Sequence, residues 1–216
     1  FEELGNDEEA RESYKQATEI DKACARGYEG MANILEKEGK SEEAFEMLKK
    51  SVEISPNNRD RQFKMTKHLL ENGDEDAAQI ALHKALENEP DAASRSAAAA
   101  EFFLEAGRAD LAEAEYSFAL EEDPSNAHYY NRLGLAFRRQ KKFKEAIDNY
   151  RKATVISPDD AVIYFNLAIA IAESGDLTQA IGSLRRALVL RPKFPQAEKI
   201  LKTLQEKAGQ IPAKSK

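Results

Sequence analysis

The sequence predicts an all-α fold built from repeated helical hairpins. Three observations carry that expectation: prolines at a fixed interval, a recurring stripe of small and large apolar residues, and few helix breakers. Pro56, Pro90, Pro124, Pro158 and Pro192 each follow their predecessor by 34 residues, and internal periods of this length mark stacked repeats. Around them one phrase recurs, as "SVEISPNN", "ALENEPDA", "ALEEDPSN", "ATVISPDD" and "ALVLRPKF". Only 7 prolines and 10 glycines occur in 216 residues, with no tryptophan.

Each unit reads as two helices. The first carries apolar residues at helical spacing, as in Tyr130, Leu133, Gly134 and Phe137, or Tyr164, Leu167, Ala168 and Ile171. Gly39, Gly73, Gly107 and Gly175 then mark a turn, where a residue free to take positive φ ends a helix. The second helix holds Ala44, Ala78, Ala112, Ala146 and Ala180 twelve places before each proline. Five places before it come Ser51, Ala85, Ala119, Ala153 and Ala187, with Leu48, Leu82, Tyr116, Tyr150 and Leu184 between. Small residues let backbones approach closely and the large one fills the space between them. Proline closes the unit because its ring cannot continue a helix.

The spacing gives full units at 25–58, 59–92, 93–126, 127–160 and 161–194. Residues 1–24 align with the later part of a unit, Phe1 with Leu35, Gly5 with Gly39 and Ala10 with Ala44, and read as a partial repeat of a longer protein. Residues 195–208 read as an amphipathic capping helix with Ile200, Leu201 and Leu204 on one side, and 209–216 as a disordered tail. The whole of 1–208 is expected to be a single solenoid. In 59–92 Gln62 and Met65 take unusual places. In 93–126 Ser96, Ala99 and Ala100 stand where larger residues are usual, so "AASRSAAAAEFF" is expected to pack loosely or bend.

Several functions are disfavoured on composition. A formal net charge of −7 argues against a nucleic-acid partner, whose phosphates would demand lysine and arginine. Cys24 is the single cysteine, so neither an intrachain disulfide nor a cysteine-based zinc site can form. His68, His83 and His128 have no histidine or cysteine partner at i,i+4. There is no phosphate loop or dinucleotide fingerprint, so no catalytic residue, cofactor or metal is expected. Acidic pairs such as Glu42–Glu43 and Glu121–Glu122 read as solvated charge or, at a helix start, as favourable dipole placement. No apolar run approaches the roughly 18 residues that span a bilayer, and membrane insertion is not expected. A cytoplasmic location is favoured, with the periplasm left open.

The pattern aromatic-x-x-Leu-Gly-x-x-aromatic, then Ala, Tyr, Ala and Pro, resembles the tetratricopeptide repeat, best in Tyr130, Leu133, Gly134, Phe137, Ala146, Tyr150, Ala153 and Pro158. That resemblance implies a right-handed α–α superhelix of about five and a half repeats with a capping helix. It also implies that the second, fifth, sixth and ninth places of each unit, with some later ones, line a concave groove that takes a peptide. In 127–160 these include His128, Asn131, Arg132, Arg138 and Arg139, next to Lys141 and Lys142; in 59–92, Lys64 and Lys67; in 161–194, Phe165, Asn166 and Ile169. The expected ligand is an acidic or carboxylate-bearing segment of another protein, with charge-assisted bonds from Arg132 and Arg139 and an apolar anchor at Phe165. Reversing both arginines to glutamate is expected to abolish binding and leave helicity intact. The chaperone-gripping carboxylate clamp of the family is not expected, because Glu29 precedes Asn33 where lysine is required. An asparagine ladder is not expected either, because only Asn166 occupies the ladder place.

The functional expectation is a non-catalytic interaction scaffold in a larger bacterial protein, of the signalling-adaptor or secretion, pilus and polysaccharide-export kind. The alternative is a substrate-recruiting arm of an enzyme whose catalytic domain lies upstream. A homodimer through residues 1–24 is a further expectation.

Overall fold

A computed structural model describes residues 7–209. The expectations for Phe1, Gly5 and the tail from residue 210 onward lie outside the described residues. Twelve helices and no strands occur among them: α1 (Asp7–Ile20), α2 (Ala25–Lys37), α3 (Ser41–Ile54), α4 (Arg59–Glu71), α5 (Glu75–Ala85), α6 (Ala92–Glu105), α7 (Ala109–Glu122), α8 (Ala127–Arg139), α9 (Phe143–Ile156), α10 (Ala161–Glu173), α11 (Leu177–Leu190) and α12 (Pro195–Gly209). Each full 34-residue unit thus holds one helical hairpin. The chain divides into two compact units, 1–89 and 90–216.

The hairpin turns are built alike. Gly39, Gly73, Gly107 and Gly175 have φ between 75° and 102°. The N–H of each donates back into the helix it ends, and the next N–H does so one residue deeper, as in Gly39 to the Glu36 carbonyl and Lys40 to the Leu35 carbonyl. This pairing satisfies carbonyls that the helix end would otherwise orphan. In the fourth full unit Lys141 occupies the same place at φ 62° with the same two bonds, to Arg138 and Phe137. The sequence has no glycine there to mark the turn. At the helix starts, Asn58, Asp74, Asp91, Asn126, Asp160 and Asp176 accept backbone N–H bonds from the first turn. Glu42 and Glu43 open α3, where the helix dipole favours them, whereas Glu121 and Glu122 close α7 and have no such benefit.

The small–large–small stripe forms the core of each hairpin. Ala44, Ala78, Ala112, Ala146 and Ala180, together with Leu48, Leu82, Tyr116, Tyr150 and Leu184, are at most 2% exposed. In the first unit Ala32, Leu48, Met65 and Ala81 form one cluster. In the second, a larger cluster runs from Ala146 and Tyr150 through α10 and α11 to Phe194, Ala197 and Leu204, so α12 closes the apolar end of α11.

Two irregular repeats behave differently from the reading of their sequence. The helix "AASRSAAAAEFF" is tightly packed: Ala99, Ala100 and Phe103 are fully buried, and Ser96 and Leu104 nearly so. The small alanines and the large Phe103 are buried together, so the aromatic makes up the volume that the alanines lack. In 59–92 the polar Gln62 is buried because its amide donates to the Pro56 carbonyl at 2.6 Å. There α5 stops at Ala85, three places before the equivalent helices end.

Candidate functional site

In the first unit α2 and α4 bring their charges together. Glu29 accepts from Arg61 Nε at 2.9 Å and from Lys64 Nζ at 2.7 Å, and Lys64 also donates to Asn33 at 3.0 Å. Lys67 stays exposed, 4.0 Å from Glu71 on its own helix. The two lysines border a cleft of about 460 Å³ with Glu36, Ser41, His68 and Glu71. His68 is buried and stacked on Phe45, ring centres 4.2 Å apart.

Burial alone would raise the Glu29 carboxyl, but its bonds to Lys64 and Arg61 outweigh that and hold it below the usual carboxylate range. A depressed folded value means stability that is present above the unfolded pKa, about 4.3, and lost as pH falls through the folded one. Urea unfolding of the whole chain from pH 6 down to pH 3 should therefore lose stability, and Glu29→Gln should flatten that slope. An identical slope in the variant would show that the ion cluster contributes nothing.

In the second unit the expected basic cluster is present, but it is partnered. Arg132 on α8 grips Glu101 on α6 with two guanidinium nitrogens, and the Tyr116 hydroxyl donates to the same carboxylate. Burial, reinforced by Glu101, drives that hydroxyl well above the usual tyrosine range, so it remains a donor. Arg138 pairs with Glu173 at 2.9 Å, Arg139 donates to the Leu104 carbonyl near the end of α6, and Lys142 reaches Glu113 at 2.8 Å. Arg132 is therefore a bond between repeats as well as a surface charge. Reversing it would set two carboxylates against each other, so the double reversal of Arg132 and Arg139 would weaken the fold along with any binding.

The amides also pair. Asn166 Nδ2 donates to Asn131 Oδ1 at 2.9 Å, joining α10 to α8. His128 and Arg139 are exposed, while Asn131, Phe165, Asn166 and Ile169 are half-buried. Phe165 lies against Phe194, ring centres 4.9 Å apart, so part of the expected apolar anchor is spent on packing beside α12.

Sequence reading placed the tyrosines in the core but missed the hydroxyl bond by which Tyr116 holds Glu101 from beneath the surface. Tyr116 and Tyr150 occupy the place that leucine fills in the other full units, and a hydroxyl there must find a partner. The substitution of tyrosine for leucine was the available signal. Among the described residues no group of three or more His, Cys, Asp or Glu side chains could hold a metal ion, and no helix is long and apolar enough to cross a membrane.

Stacked helical hairpins with this core and these turns define a helical-repeat protein. Tetratricopeptide-repeat family models match residues 1–24, 35–102 and 134–175. The chain belongs to the tetratricopeptide-repeat family. Among solved structures it is similar to YrrB, described as a TPR protein with an unusual peptide-binding site, at 19% identity and TM-score 0.55, covering 89% of this chain and 100% of that one. It is also similar to PilF of Pseudomonas aeruginosa, at 27% identity and TM-score 0.54, covering 70% of this chain and 69% of that one. The first TPR of Spaghetti (RPAP3), bound to the HSP90 peptide SRMEEVD, matches at 21% identity and TM-score 0.54, over 55% of this chain and 94% of that one. No curated protein matches the sequence.

Proposed function

We propose that the chain is a non-catalytic scaffold that binds an acidic segment of a partner protein along the first helices of its repeats, as part of a larger assembly. The observation that carries the reading is the division of labour within each hairpin. The core consumes the small–large–small stripe of the second helices. The first helices α8 and α10 keep a surface with exposed His128 and Arg139, an amide pair at Asn131 and Asn166, and half-buried Phe165 and Ile169. Such a surface offers polar groups for a backbone and apolar ground for an anchor. From Ala127 to Lys142 there are five lysines and arginines and no acidic residue. Glu101, Glu173 and Glu113 partner Arg132, Arg138 and Lys142, and the positive charge left to an acidic ligand is that of Arg139 and Lys141. Similar folds in YrrB and in the RPAP3 repeat, whose descriptions name a peptide-binding site and a bound peptide, support the same use.

The test uses the two exposed bases, which lie outside the Arg132 network; Arg139 gives up only its bond to the Leu104 carbonyl. His128→Glu combined with Arg139→Glu should weaken binding of a fluorescein-labelled acidic peptide by at least tenfold, about 1.4 kcal/mol, with circular dichroism unchanged. Equal affinity in the double variant would remove this surface from the function.

A further inference from the structure

Tyr116 and Tyr150 hold the same place in successive repeats, yet their hydroxyls meet different neighbours. Tyr116 donates to Glu101, which Arg132 also grips. One repeat later, 34 residues on, Leu135 stands at the place of Glu101 and Asn166 at the place of Arg132. Leucine accepts no hydrogen bond, and the Asn166 amide is engaged with Asn131. Among the described residues the Tyr150 hydroxyl and the Arg138 Nε are therefore buried and neither makes a hydrogen bond of ordinary geometry, while the Arg138 guanidinium lies close enough to pull on the hydroxyl oxygen and leaves its proton without an acceptor. An unpaired buried donor is costly, and native exceptions call for an explanation.

Both unpaired groups are donors. Burial pushes the Tyr150 hydroxyl up to about 12, against the pull of Arg138 and Arg132, so it is protonated at neutral pH. An anionic oxygen acceptor complements the pair, and the preceding repeat supplies the pattern, since its own acceptor is a carboxylate. By repeat equivalence Leu135 and Asn166 are the neighbours of the hydroxyl. Leu135 and Asn166 are only half-buried. Arg138 is held by Glu173 in an ion pair with side chains 27% and 40% exposed, a class of contact that adds little stability.

We propose that the Tyr150 hydroxyl and Arg138 Nε form a seat for one carboxylate of a bound peptide segment, which takes the acceptor position that Glu101 holds one repeat earlier. The proposal rests on the peptide-binding reading and names the residues that would make it selective for acids. Arg138 is part of the seat, so an incoming carboxylate exchanges its exposed Glu173 contact for a buried charge-assisted one.

Fluorescence anisotropy with three labelled ten-residue peptides tests it: alternating Glu and Ser with an amidated end, alternating Gln and Ser with an amidated end, and the Gln peptide with a free carboxylate end. Tyr150→Phe should weaken the carboxylate-bearing peptides about tenfold and leave the amidated Gln peptide unchanged. Leu135→Glu installs an internal carboxylate at the Glu101 place, so it should abolish carboxylate-dependent binding and raise the melting temperature. Sensitivity confined to the Glu peptide assigns the seat to a side chain; sensitivity confined to the free-ended peptide assigns it to a chain terminus. If the peptides bind but neither substitution alters their affinity, or Leu135→Glu lowers the melting temperature, the seat is wrong and the wider surface stands. If none of the three binds, the acidic-peptide reading falls and the seat falls with it.

Discussion

Tyr116→Ala is expected to destabilise the protein by about 4 kcal/mol, the loss typical of removing a large aromatic from a close-packed interior. Tyr116 is fully buried between α6 and α7 and extends to α8 through Glu101 and Arg132. Alanine would open a cavity and also take a donor from Glu101. Tyr116→Phe separates the two effects, since it keeps the ring and loses only the hydroxyl, for about 1–2 kcal/mol. Thermal unfolding should show Tyr116→Ala melting roughly 10 °C below the wild type, at about 2–4 °C per kcal/mol for a chain of this size. If the phenylalanine variant fell as far as the alanine variant, the hydroxyl rather than the packed ring would account for the loss.

The second large effect is steric. A side chain added at Gly134 would bring its Cβ within 2.8 Å of the Tyr150 ring, inside ordinary contact distance. Tyr150 is itself fully buried and has nowhere to move freely. Gly134→Val is therefore expected to cost about 3 kcal/mol, the upper end for overpacking a core. Gly134→Ala brings the same Cβ contact without valine's two extra methyls, so it should cost about 1–2 kcal/mol, less than valine. The equivalent place under Tyr116 already holds Ala100, and alanine regains nearly 1 kcal/mol of helix propensity over glycine. Urea denaturation of both variants checks the contrast, and a tolerated valine would mean that α8 and α9 are less closely packed than Tyr150 implies.

Much of the fold was legible because a 34-residue period repeats the same physical requirement five times. A buried alanine at the closest helix approach and a glycine at positive φ leave few other residues acceptable. Where a repeat departs from the pattern, legibility fell. The alanines of α6 read as a deficit of volume, but Phe103 supplies that volume from one turn away. Lys141 takes a turn position that glycine takes elsewhere, held by the two bonds common to all five turns.

The site was half legible. Period and resemblance gave its places on the first helices. They did not give the pairings, because each pairing joins residues of two repeats. Arg132 meets Glu101 across 31 residues and Lys64 meets Glu29 across 35. Both separations sit near the repeat length, so an acid in one unit and a base near the same place of the next was the available signal. Read singly, those bases resemble ligand-binding charge; read in pairs, several of them already stitch neighbouring hairpins together.

The most direct test of a peptide-binding surface on the first helices is an amide chemical-shift titration of the isotopically labelled chain with the Glu–Ser peptide. Shifts are expected to concentrate on α8 and α10, at His128, Asn131, Leu135, Phe165, Asn166 and Ile169, with outward residues of the second helices such as Val155 and Val189 unmoved. Saturable shifts centred on Val155 and Val189 instead would contradict the account.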